Sequence, residues 1–155
     1  MKQIAAYDTV IKALRDTLLS NEAFCSLPTW TNAGIPDVYP AFIDSMENPH
    51  YPSVTIYRDV GSTLAYHNNA QQAYYYIHGW IKPDATGAYS IAPSSAISQI
   101  MNLVIDALDL NPNISPYFAM CRLIDSKSPD YDETTRTTYF MTKWKIKYDK
   151  KILYI

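Results

Sequence analysis

Glycine is scarce in this chain, four in 155 residues, and cysteine is scarcer, with two. Cys25 and Cys121 are too few for a disulfide framework or a thiolate zinc site. With no motif around either, both are expected to be buried, inert thiols. Gly61-Ser62-Thr63 and Gly87 stand isolated, so no glycine-rich loop is available to cradle a phosphate. No apolar run approaches the roughly 18 residues needed to cross a bilayer, and Met1-Lys2-Gln3-Ile4 does not open a signal-peptide core. Neither charge is in large excess: 13 basic against 15 acidic side chains leave a formal −2, no reason to expect a free-standing nucleic-acid binder. The motif His-Glu-x-x-His and the pair Cys-x-x-Cys are missing, and His50, His67 and His78 fall at no metal-ligand spacing. No nucleophile–base set stands out either. No metal, no cofactor and no enzymatic activity are expected.

What the chain does hold is apolar surface and tyrosine. At 48% hydrophobic and 18% charged it has the composition of a folded domain rather than a disordered segment. Fourteen tyrosines outnumber four phenylalanines and three tryptophans. Five of the ten prolines (Pro28, Pro36, Pro40, Pro49 and Pro52) lie between Leu27 and Ser53. Proline removes a backbone donor and restricts the residue before it, so an irregular arm is expected at about 26–52. No repeat or low-complexity linker divides the chain, and residues 1–155 read as one domain with a C-terminal extension at 149–155.

Periodicity supplies the elements. Val10, Ile11, Leu14 and Leu18 recur at helical steps from about Asp8 to Leu19, with Asp8 or Thr9 as the N-cap and a further short turn at Glu22-Ala23-Phe24. Ile97, Ile100, Met101, Val104, Ile105 and Leu108 make a longer stripe, opened by Pro93 and closed by Asn111-Pro112. Four segments read as strands: Ser53–Arg58, Ala73–Ile81, Phe118–Asp125 and Thr137–Tyr148. In the last, Phe140, Thr142, Trp144, Ile146 and Tyr148 face one way, while Tyr139, Met141, Lys143, Lys145 and Lys147 face the other. The expectation is an α+β fold of order α-β-β-α-β-β. Its mixed, mostly antiparallel sheet of about four strands carries helices packed on one face and a lysine-bearing edge strand left exposed.

Charge is segregated along the chain. Residues 104–133 hold six acidic and two basic side chains, whereas residues 137–155 hold five lysines against Asp149. The lysines either protect an edge strand from aggregation or meet the acidic flank of a neighbouring subunit in a head-to-tail contact. Asp125, Asp130, Asp132 and Glu133 form a solvated hairpin loop or take part in that contact. A calcium loop is not expected, since the glycine and the bidentate Glu of such loops are missing at the required spacing. Ile152-Leu153-Tyr154-Ile155 must be buried against their own chain or a neighbour. Tyr74-Tyr75-Tyr76 places rings on both faces of one strand, and only one face can be core. The other suits a surface buried against a partner or a carbohydrate platform.

The succession of an N-terminal helix, the strand Pro52-Ser53-Val54-Thr55-Ile56-Tyr57, the strand Tyr75-Tyr76-Ile77-His78-Gly79-Trp80-Ile81, a helix ending Ala107-Leu108 and two closing strands resembles a known group. These are the tail-completion and tail-terminator (head–tail joining) proteins of tailed bacteriophages, and the resemblance spans roughly residues 5–148. It implies a structural virion protein at the tail–neck junction, assembled in the host cytoplasm. Such proteins form a ring, commonly a hexamer, that terminates the tail tube and joins it to the neck. Implied partners are further copies of itself, the tail tube protein and neck or connector proteins, with DNA passing without sequence-specific binding and no membrane. Duplex DNA carries one charge per roughly 1.7 Å, so a lysine-lined lumen would hold it. Asp130, Asp132 and Glu133 are therefore candidates for the lumen- or tube-facing surface. Tyr74, Tyr76, Trp80, Lys143, Lys145, Lys147, Ile152, Leu153, Tyr154 and Ile155 are candidates for subunit contacts. The competing readings are another neck, connector or stopper protein, and a tyrosine-rich carbohydrate-binding module.

Overall fold

Thr9–Leu19 forms the first helix, α1, and buries the expected stripe of Val10, Ile11, Leu14 and Leu18. The computed structural model describes residues 9–30, 34–40, 50–59, 64–65, 69–82 and 92–154, so Asp8 lies outside the described residues. Asn21 then starts the short helix α2 (Glu22–Cys25), its side chain accepting the Phe24 N–H at 2.9 Å. The long helix α3 runs Pro93–Leu108 with its proline in the first turn, where the missing N–H costs nothing. It buries Ala96, Ile97, Ile100, Val104, Ala107 and Leu108.

Among the described residues the sheet has six strands rather than four: β1 (Asp37–Tyr39), β2 (Ser53–Arg58), β3 (Leu64–Ala65), β4 (Ala70–Ile81), β5 (Phe118–Asp132) and β6 (Thr137–Asp149). Their order is β1-β2-β4-β6-β5, with β3 also paired to β4. Among these strands β1 and β2 pair in parallel, and the other pairings are antiparallel. The α+β class stands, with helices α1 and α3 packed against the sheet.

Three expectations need correction. The proline-rich arm is not wholly irregular, because Asp37–Tyr39 pairs with the start of β2, and Trp30 and Val38 are buried in the chain's own core. Arg15 of α1 holds this strand by donating to the Val38 carbonyl at 3.0 Å. The strand expected to end at Asp125 continues to Asp132, through bulges after Leu123 and Lys127 that hide its period. The lysine strand β6 is not an edge. It lies between β4 and β5, so its lysines stand on a sheet face.

That strand otherwise follows its alternation. Phe140, Thr142, Trp144, Ile146 and Tyr148 are buried, and the intervening residues from Tyr139 to Lys147 are half-buried on the other face. Across the ladder, Tyr75 opposes Trp144, Ile77 opposes Thr142 and Gly79 opposes Phe140. These residues meet Val54, Ile56 and the helix stripes in one hydrophobic cluster. Fully burying such side chains contributes roughly 2 kcal/mol each.

Thr142 is the polar exception in this layer. Its hydroxyl accepts the Trp144 indole N–H at 2.7 Å and donates to the Ile77 carbonyl at 2.8 Å, with no exposed surface. Thr142→Val keeps the shape and strands a buried indole donor, so a loss of about 2 kcal/mol is expected in urea unfolding. Thr142→Ser, which retains the hydroxyl, should recover most of it. Equal losses in the two variants would remove the hydrogen bond as the cause.

Candidate assembly surface

The face of the sheet opposite α1 and α3 carries the odd-numbered side chains of β6 and the even-numbered ones of β4. Pairing in register aligns them into rows: Met120, Lys147 and Gln72; Arg122, Lys145 and Tyr74; Asp125, Lys143 and Tyr76; Lys127, Met141 and His78; Asp130, Tyr139 and Trp80. Strand β2 adds Tyr57 beside Tyr76, and Thr55 beside His78. The face thus divides into an aromatic half and a cationic half.

In the aromatic half the rings touch one another. Tyr57 stacks on Tyr76 with centroids 5.2 Å apart, Trp80 stacks on Tyr139 at 5.5 Å, and His78 lies between, 5.3 Å from both Tyr57 and Trp80. Trp80 is largely buried and donates its indole N–H to the Thr55 hydroxyl at 2.9 Å. The Tyr57 hydroxyl meets His78 Nε2 at 3.2 Å. Burial drives the Tyr57 pKa up to about 12 and the His78 pKa down to about 4.

The His78 shift carries a prediction whose sign is fixed by linkage. An unfolded histidine titrates near 6.5, so the unfolded chain takes up the proton first as pH falls. Stability from the neutral imidazole is complete above about pH 6.5 and is lost progressively down to about pH 4. The loss totals about 3 kcal/mol. Urea midpoints measured at several pH values should fall across this window in the native chain and fall less in His78→Gln. Parallel curves for the two proteins would show that acid sensitivity comes from elsewhere.

In the cationic half, Lys143 places its ammonium 5.0 Å from the Tyr74 ring centroid and 5.6 Å from that of Tyr76. Lys127 sits over Tyr139 at 5.7 Å and donates to its hydroxyl at 3.3 Å, which raises the lysine pKa. Arg122 and Lys145 are directly opposite each other in the ladder. Like charges so placed disfavour the fold slightly.

The remaining candidates disperse. Ile152 is buried in the chain's own core, and the Thr9 hydroxyl donates to its carbonyl. Leu153 packs half-buried against that core. Tyr154 ends the 3₁₀ turn Lys150–Tyr154, while its side chain and Ile155 lie outside the described residues. The acidic group is not one open loop. Asp130 and Asp132 belong to β5, and only Glu133 falls in the turn that joins β5 to β6. Asp132 shapes that turn by accepting the Thr134 N–H and the Thr135 hydroxyl, both at 3.0 Å. Asp130 pairs with Lys127 at 3.6 Å, and Glu133 is exposed.

Among the described residues no three His, Cys, Asp or Glu side chains could hold a metal ion together. His50 is exposed beside Asp37, and His67 lies outside the described residues. Cys121 is buried, which pushes its thiol up to about 12, while Cys25 is half-buried. Two open grooves flank Pro116, of about 500 Å³ and 410 Å³. The charged side chains lining the second, Lys12 and Asp16, form an ion pair along one helix turn. No described helix is long and apolar enough to cross a membrane.

Sequence reasoning missed Tyr57, Tyr139, His78 and Arg122 as members of this surface. Tyr139 and His78 were visible through strand alternation, but Tyr57 and Arg122 join only through the register of their neighbours.

No protein-family model matches the chain, and no curated protein matches it. Among solved structures, its fold is similar to a chain of the virion of a native gene transfer agent (GTA) particle, with a TM-score of 0.62. The match covers 90% of this chain and 94% of the other at 14% sequence identity. At that identity the likeness is one of fold.

Proposed function

We propose that the chain is a structural subunit of a tailed-phage-like particle. In this reading it acts as one domain and assembles into a ring at the head–tail junction, ending the tail tube and joining it to the neck. DNA passes through the lumen. The observation that carries the reading is the end-to-end match of fold to a component of a gene transfer agent particle, with little of either chain left over. The sheet face supports it physically. Half-buried tyrosines and lysines cover a side of the sheet that neither α1 nor α3 packs against, and tyrosine is favoured where a protein surface becomes covered by another.

In this reading Tyr74, Tyr76, Lys143, Lys145 and Lys147 make the subunit contacts, which their shared position on that face supports. Trp80, largely buried within the same face, and Ile152, in the core, act as packing that holds the surface in place. Glu133, exposed at the β5–β6 turn with Asp130 near it, remains the choice for the lumen- or tube-facing rim.

Native mass measurement of the purified chain, followed by micrographs of particles carrying it, tests the proposal. A closed oligomer placed where tube meets neck is the expected result. A chain that stays monomeric at all concentrations and is missing from particles would overturn it.

A further inference from the structure

The cationic half of the sheet face is unbalanced within the chain itself. Lys143, Lys145 and Lys147 recur at every second residue of β6, about 7 Å apart, and Arg122 of β5 stands in the same rows. Three carboxylates border this row, Asp125 opposite Lys143, Asp149 two residues beyond Lys147 and Asp59 beside Tyr74, and the four cations outnumber them. Among the described residues, Arg122, Lys143 and Lys145 form no ion pair within 4 Å. The acidic residues at the turn end of the same hairpin do not neutralise the patch. Thr137 and Lys145 are eight residues apart along β6, about 26 Å, well beyond the screening length of about 8 Å at physiological salt. Arg136 and Lys127 also offset much of the charge at that end.

A fold left to itself gains nothing from setting Arg122 opposite Lys145 on a face already bearing two more cations. The arrangement becomes favourable when an anionic surface covers it. Met120, Tyr74 and Tyr76 lie between the charges and supply flat apolar area of the kind buried at protein interfaces. The whole chain carries −2, so nucleic acid meets no long-range attraction, whereas a carboxylate-bearing protein segment needs only the local field.

We infer that the face formed by Arg122, Lys143, Lys145, Lys147, Tyr74 and Tyr76 docks an acidic protein segment, rich in Asp or Glu, supplied by another subunit of the particle. This inference rests on the assembly reading above and names the chemistry of the partner at that surface.

The test uses the full-length chain and poly-glutamate as the probe, with oligothymidylate as the nucleic-acid comparison. Poly-glutamate should bind, with affinity falling as salt rises. The double variant Arg122→Glu and Lys145→Glu should weaken binding at least about tenfold. Lys151→Glu, an exposed lysine on the terminal 3₁₀ turn, should stay within about twofold. Arg122→Glu alone provides a second signature. It turns an opposed like-charge pair into an opposite-charge pair, so thermal stability should hold or rise while binding falls. Undiminished poly-glutamate binding in the double variant overturns the inference. So does oligothymidylate binding that is tighter than poly-glutamate binding and lost in the same variant. Poly-glutamate binding by a chain that never oligomerises or enters particles leaves the docking chemistry standing and removes the ring instead.

Discussion

Gly79→Ala is expected to cost about 3 kcal/mol, at the upper end of what overpacking a closed core does. A Cβ placed on Gly79 would lie 1.9 Å from Cε2 of Phe140, and within 2.8 Å of two further atoms of that ring. Phe140 has no exposed surface and lies directly across the ladder from Gly79, so the ring rests on bare backbone. Phe140 shares a solvent-free cluster with Ile77, Ile81 and Ile97, so the ring yields only by pushing on packed neighbours. The chain has few glycines and places one where its central strand pair must come closest to an aromatic ring. The measurement is the urea midpoint of Gly79→Ala against the native protein. Pairing the change with Phe140→Leu should recover part of the loss, since residues in contact couple in a double-mutant cycle. Additive losses would mean that Phe140 is not the obstacle.

The second large effect concerns assembly. Replacing Lys143, Lys145 and Lys147 together with Glu should abolish oligomers at concentrations about a hundredfold above those the native chain needs. The substitution reverses the field of the face, and like-charge juxtaposition across an interface costs several kcal/mol. The folded subunit should survive. Loss of the lysine contact with the Tyr74 and Tyr76 rings costs about 1 kcal/mol at this half-buried site. A glutamate at 143 opposes Asp125 unfavourably, but one at 145 opposes Arg122 favourably, and the two nearly cancel. Sedimentation should therefore show a monomer whose circular dichroism matches the native chain. Oligomers of native size and affinity would falsify the role given to this face.

Much of this surface was legible from strand alternation alone. In β6, alternate residues over its whole length separate Phe140, Trp144 and Ile146 from Lys143, Lys145 and Lys147, because a strand turns successive side chains to opposite sides. Helices α1 and α3 were equally readable from their stripes. What local pattern could not reveal was neighbourhood. Whether the lysine strand is an edge depends on which strand pairs with it, and here both β4 and β5 do. β5 itself hides its length, since its bulges shift the alternation at Ile124 and again around Ser128-Pro129. In β1, the three residues between Pro36 and Pro40 carry too short a pattern to read. The buried run Ser53-Val54-Thr55-Ile56 shows no alternation, and so Tyr57 could not be assigned a face.

The connection between α3 and β5 has a consequence for the rim of the sheet. The Leu110 N–H donates to the Cys121 carbonyl at 2.8 Å, and the Asp109 carboxylate accepts the Leu123 N–H at 2.9 Å. Two residues of loop thus do the work of a missing seventh strand along the first half of β5, while toward the turn the Tyr131 N–H is met from within the strand itself, by the exposed Asp130 carboxylate at 2.8 Å. Deuterium should therefore enter the amide of Leu123 slowly, as in an interior strand, and enter the outward amides nearer Tyr131 much sooner. The outermost strand is consequently two things at once: shut against lateral growth beside the helix, and open to a visiting backbone near the hairpin tip.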